Sequence, residues 1–155
     1  MTKKVPFDDA EVHVPLYKVY GGWLEDFTWS HYGILTSDEY LTCKEAWRKF
    51  NKWKRTMAKA IDRKIDYLFI YDTEHPDNPH LHVLLAGTEG IDVGHWAEEW
   101  EEKVGIVRKL VQYDPKKGAR FYLGGKFLKD DAEIQIILSA RLRAIAVMKE
   151  GGSNE

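Results

Sequence analysis

The sequence predicts one α+β domain, and three observations carry that expectation. Apolar residues recur at steps of three and four from Cys43 to Ile61, the period of a helix buried along one face. Two short runs rich in aromatic and β-branched residues, Asp66–Asp72 and His80–Ala86, have the composition of strands. The chain is 155 residues long, 44% hydrophobic and 31% charged, which suits a single packed core and excludes wholesale disorder.

Residues 1 to about 15 are polar and punctuated by proline, and read as a loose leader. Gly21-Gly22 marks a turn, and Tyr32 to Thr36 reads as a short strand closed by Ser37-Asp38. In the helix that follows, Cys43, Ala46, Trp47, Phe50, Trp53, Met57 and Ile61 form the apolar stripe, with Thr42 as N-cap. Lys44, Arg48, Lys52, Arg55 and Lys59 fall off that stripe and give the helix a basic outer face. Between the two strands, Thr73 to Pro79 holds two prolines, Asp77 and Asn78, so the chain must turn there.

Val93 to Lys103 reads as an acidic helix packed through Trp96 and Trp100, an i,i+4 pair. Ile106 to Tyr113 alternates as a strand does, Ala119 to Lys129 has helical spacing despite Gly124-Gly125, and Ile134 to Leu138 predicts a last strand. Gly151 to Glu155 reads as a disordered tail. With no repeat or linker, residues 1–155 are expected to form one domain.

No apolar run approaches a membrane span, and the N-terminal residues lack the apolar core of a secretion signal. A cytoplasmic protein with no membrane partner is expected. The single cysteine, Cys43, excludes an internal disulfide and any zinc site built on several cysteines. It lies on the apolar stripe and reads as packing.

The net charge of −2 conceals blocks. Lys44 to Lys64 carries nine basic residues against two acids, and Lys103 to Lys129 carries eight against Asp114 alone. Glu89 to Glu102, between them, has six acids and no base. A solvated helix face explains either block alone, whereas two basic segments around an acidic one fit a polyanion-binding face. Trp23 and Trp29 lie outside the predicted elements and are the better candidates for stacking on bases.

His80-Leu81-His82 is the sharpest chemical signal. On a strand, residues i and i+2 share a face, so both imidazoles project side by side and can bind one divalent ion. If the two predicted strands form an antiparallel hairpin, Asp72 at the end of one lies beside His80 at the start of the next. Asp72 is then the third ligand, with Glu74 or nearby His75 as substitutes. Two exposed strand histidines are the plainer reading of the pair alone.

The run from Asp72 through Pro79-His80-Leu81-His82 resembles the metal motif of the HUH endonucleases, the rolling-circle replication initiators of plasmids and small DNA viruses. In that family an acidic residue precedes a proline-histidine-hydrophobe-histidine strand by about eight residues, and Asp72 stands eight before His80. The family usually has Glu there, so Asp72 is a shorter-reaching departure. Tyr32-Gly33-Ile34-Leu35-Thr36 resembles the family's first motif. The third motif, a tyrosine followed by a lysine on a helix, is matched forty residues after His82 by Tyr122 and Lys126, with three residues between them where the family has two. Both spacings keep two side chains on one helical face.

The resemblance implies a central antiparallel sheet flanked by helices, of the ferredoxin-like or RRM-like kind. It implies a sequence-specific single-stranded DNA endonuclease and strand transferase acting through a covalent 5′-phosphotyrosine on Tyr122, with Lys126 stabilising charge. Two imidazoles and a carboxylate suit Mn²⁺ better than Mg²⁺, which prefers oxygen ligands, although cells supply both. Expected phosphate contacts are Arg48, Lys52, Arg55 and Lys59 on the first helix, and Lys116, Lys117, Arg120 and Lys129 in the second basic block. The expected partners are single-stranded DNA, as an origin or hairpin, and a host helicase, since no P-loop is present. Tyr113 is the second choice of nucleophile, and Tyr67 and Tyr71 read as strand packing. The rival readings are a single-tyrosine insertion-sequence transposase and a non-catalytic DNA-binding module on the same scaffold.

Overall fold

A computed structural model describes residues 11–12, 28–72, 79–118, 122, 134–139 and 142. Their elements are β1 (Glu11–Val12), β2 (His31–Leu35), α1 (Cys43–Ile61), β3 (Asp66–Asp72), β4 (His80–Ala86), α2 (Val93–Lys103), β5 (Val107–Gln112) and β6 (Ile134–Leu138). Among the described residues the fold is α+β, an antiparallel sheet with the two helices α1 and α2, as the periodicities predict. The sheet has six strands in the order β1-β6-β3-β4-β2-β5, so β3 and β4 occupy its middle. Glu11 and Val12 pair with Ile137 and Ile136, so the segment expected to be a loose leader carries an edge strand.

α1 begins where its sequence says. The Thr42 side chain accepts from Glu45 N at 3.2 Å, and Glu45 Oε1 accepts from Thr42 N at 2.9 Å, a reciprocal capping box. The helix ends at Asp62, whose left-handed backbone returns its N–H to the last turn. Its stripe of Ala46, Trp47, Phe50, Trp53 and Met57 is buried on the sheet against Tyr67, Phe69, Leu81, Val83 and Leu85. Cys43 packs at the margin of the same cluster. α2 joins it through Trp96 and Trp100, so both helices lie on one face.

The period-two alternation of β4 then fixes everything else. Leu81, Val83 and Leu85 face the helices, so His80, His82 and Leu84 face the other way. That second face is also buried, through Tyr32, Leu68, Ile70, Leu84 and Leu138. Gly87 closes β4 with φ +94°, and a Cβ there would stand 2.5 Å from the Lys64 carbonyl oxygen. Only glycine meets both conditions.

At the far end of the sheet from His80, buried His31 on β2 pairs Nδ1 with Thr88 Oγ1 at 2.6 Å. Burial pulls its imidazole below the usual histidine range, against the opposing influence of Glu89.

A tyrosine-linked histidine and aspartate site

β3 and β4 pair antiparallel in the register that sets Asp72 opposite His80 and Ile70 opposite His82. The hairpin expected from the sequence therefore exists. Its contact is diagonal, because Asp72 Oδ2 lies 3.3 Å from Nε2 of His82 rather than meeting its direct partner. Both side chains are buried, whereas His80, at the strand's entrance, is half-buried. The two imidazole rings are 6.4 Å apart between centroids.

β2 adds the next layer. Ile34 is the register partner of His82 on this side, and Tyr32, two residues earlier, shares its face. The Tyr32 hydroxyl stands 3.1 Å from His82 Nδ1. The imidazole thus lies between a phenol that hydrogen-bonds Nδ1 and a carboxylate that stands 3.3 Å from Nε2, in ion-pair range but outside hydrogen-bond geometry. Burial pushes the Tyr32 phenol up to about 12, so at neutral pH it keeps its proton and serves as a hydrogen-bonding group.

Tyr122 lies on this same face. Its ring packs on Tyr32 with centroids 5.1 Å apart and on Tyr113 at 4.9 Å, making a row of three phenols that ends at His82. Its hydroxyl accepts from Asp114 N at 2.7 Å and faces Gln112 O at 3.5 Å, the backbone just after and at the end of β5. Tyr113 is buried, which leaves the half-buried Tyr122 as the more accessible phenol of the row. Tyr67 and Tyr71 point to the helix face, where Trp47 Nε1 donates to the Tyr67 hydroxyl at 2.9 Å and the Tyr71 hydroxyl donates to Leu41 O.

The basic residues separate into two groups. Arg48, Lys52, Arg55 and Lys59 are exposed on α1, across the sheet from His80 and His82. A cleft of about 140 Å³ opens beside them between α1 and α2, also away from the histidines. Lys116 and Lys117 are exposed in the turn after β5, and Lys116 N donates to Asp114 Oδ1 beside the Tyr122 hydroxyl. Glu74, His75, Arg120, Lys126 and Lys129 lie outside the described residues, as do Trp23 and most of the helix expected over 119–129; Tyr122 itself is helical. Trp29 is buried, so a base cannot stack on it.

One basic residue was missed by sequence reasoning. Ile34 pairs with Lys109 on its other side, so Lys109, Ile34 and His82 form one cross-strand row on the histidine face. Two strand spacings of about 4.8 Å set exposed Lys109 roughly 10 Å from the His82 backbone. The signal was there in Lys109 alternating with buried Leu110, but β5 had not been placed beside β2.

The donor chemistry suits a divalent ion at the Asp72–His82 pair. Ligand bonds of about 2.0–2.2 Å at a right angle set neighbouring ligand atoms about 3 Å apart, close to the 3.3 Å between Nε2 and Oδ2. Among the described residues no three His, Cys, Asp or Glu side chains converge as one metal-holding group. Nor, among them, is any helix long and apolar enough to cross a membrane. In comparisons with known proteins, no family model, curated protein or solved structure matches the chain.

Proposed function

We propose that the chain is a metal-dependent, sequence-specific single-stranded DNA endonuclease and strand transferase of the HUH kind, with Tyr122 as nucleophile. The observation that carries this reading is the sharing of one sheet face by Asp72, His82 and Tyr122, joined through Tyr32. An antiparallel sheet with its histidine strand in the middle and two helices packed opposite supports the same relationship.

Asp72 and His82 would hold the ion, Mn²⁺ or Mg²⁺, with His80 next on the same face. A bound divalent ion polarises the scissile phosphate and offsets the charge that develops on it. The chain's own residues do the rest. The Tyr122 oxygen attacks phosphorus and gives up its proton, the bond to the 3′ oxygen breaks, and that oxygen leaves as a free 3′-hydroxyl. The 5′-phosphotyrosine can be reversed or passed to another hydroxyl, because a phenolate is both nucleophile and competent leaving group. Before attack the Tyr122 hydroxyl must exchange its contact with Asp114 N for the phosphate. Exposed Lys116, Lys117 and Lys109 would meet neighbouring phosphates, and Lys126 is proposed from the tyrosine-lysine spacing alone.

The test is incubation of the full chain with a labelled single-stranded oligonucleotide library and Mn²⁺, read on denaturing gels. A covalent adduct that disappears with chelator and maps to Tyr122 is the expected result. Stable DNA binding with no adduct under any metal would replace this reading with the non-catalytic module. Excision of paired element ends, rather than nicking at one origin-like site, would favour the transposase.

A further inference from the structure

Tyr32 takes no part in the chemistry proposed above, yet its side chain touches both halves of the site. Its hydroxyl is 3.1 Å from His82 Nδ1, and its ring packs on Tyr122 at a tilt of 43°, with 5.1 Å between centroids. We propose that Tyr32 is a positioning residue that hydrogen-bonds Nδ1 of His82 and orients the imidazole for metal binding at Nε2, an inference resting on the metal reading of the Asp72–His82 pair.

The argument begins with what each partner can do. A neutral imidazole has one N–H and one lone pair. Asp72 Oδ2 stands 3.3 Å from Nε2, in ion-pair range but outside hydrogen-bond geometry, so the carboxylate does not fix which nitrogen carries the proton. When Nδ1 presents its lone pair, the Tyr32 O–H can donate to it. A divalent ion at Nε2 needs the reverse arrangement, with the lone pair on Nε2 and the proton on Nδ1. A hydroxyl both donates and accepts, so Tyr32 can turn its proton away and accept from Nδ1–H. The same oxygen therefore partners His82 in both states, without moving a ring that is itself buried. A side chain that only donates or only accepts would favour one state over the other. Partners behind a metal-binding histidine ordinarily tune affinity in this way.

The experiment compares Mn²⁺ binding by the full chain, its Tyr32→Phe variant and its His82→Ala variant, with no DNA present. Free Mn²⁺ is counted by electron paramagnetic resonance. The expected result is measurable binding by the parent chain, loss with His82→Ala, and an affinity about 10- to 100-fold weaker with Tyr32→Phe. Parent-like affinity in Tyr32→Phe, with His82→Ala defective, overturns the positioning role and leaves the metal reading standing. Absence of binding by the parent chain, or parent-like binding by His82→Ala, overturns the metal reading and this inference with it. Nitrogen NMR of the metal-free parent chain supplies a readout independent of the variant's folding. The His82 Nδ1 shift should mark a hydrogen-bonded nitrogen, as donor or as acceptor. An Nδ1 without a hydrogen bond in that state contradicts the Tyr32 contact.

Discussion

The carboxylate of Asp72 reaches past His80, its register partner, to the imidazole of His82. The two histidines of one motif are therefore unequal. His82 is buried, with the Tyr32 hydroxyl on Nδ1 and the Asp72 carboxylate near Nε2, while His80 stands half-buried at the strand's entrance.

That inequality separates two substitutions that the sequence treats alike. His80→Ala should abolish cleavage with little loss of stability. His82→Ala should also abolish it, but at a cost of about 1–3 kcal/mol, because the Tyr32 hydroxyl and the Asp72 carboxylate are left buried without that partner. Denaturant unfolding of both variants measures the difference. Equal stability would contradict the buried placement of His82, and full cleavage by either variant would remove the metal assignment.

Tyr122→Phe should eliminate the covalent adduct while DNA binding persists. The variant also loses the acceptor for Asp114 N, worth about 1 kcal/mol, so a small drop in midpoint accompanies the loss of chemistry. Peptide mapping of a trapped adduct checks the assignment. Label on Tyr113 would move the nucleophile one ring along the row.

DNA binding should weaken with salt despite the net charge of −2. Each phosphate contact removed from a single strand reduces the log–log slope by about 0.7. Lys116→Ala, Lys117→Ala and Lys109→Ala should each lower that slope and also slow adduct formation. Substitutions of Arg48, Lys52, Arg55 and Lys59 lie across the sheet and should affect binding alone, with adduct formation restored at saturating DNA. A flat salt response would remove the polyanion argument altogether.

His31 predicts an acid weakness. Its folded-state pKa is depressed by burial, so the unfolded chain binds the proton more readily. The neutral imidazole is accommodated above the unfolded value of about 6.5, and stability falls as pH drops below it. His31→Gln should flatten that fall. Urea midpoints at neutral pH and at mildly acidic pH, in both proteins, supply the check; an unchanged pH response in the variant assigns the acid sensitivity elsewhere.

Most elements were legible because their signals are local. The stripe from Cys43 to Ile61 and the Thr42 N-cap define α1 without outside help, and Asp66–Asp72 and His80–Ala86 have strand composition throughout. The pairing of Asp72 with the histidine strand was legible too, since two adjacent strands and a tight link leave few arrangements. What was not legible depends on strands distant in sequence. Tyr32 reaches His82 only because β2 inserts between β4 and β5, and Lys109 shares that row only because β5 pairs with β2. Glu11–Val12 carried no strand signal of their own and are ordered by the edge of β6. The burial of Trp29 likewise comes from tertiary packing.

β4 carries both a structural and a chemical vocabulary, interleaved one residue at a time. Leu81, Val83 and Leu85 belong to the helix-packed core, and His80 and His82 to the opposite face. Substitution and insertion therefore have very different reach. Exchanging the half-buried His80 for another donor, such as cysteine or glutamate, rewrites the site while leaving the helix-packed core untouched, so that position is open to redesign for softer or harder ions. Inserting one residue between His80 and His82 would rotate the remainder of the strand by half a period, exchanging imidazole for leucine on both faces. The strand tolerates new letters but not a change of frame.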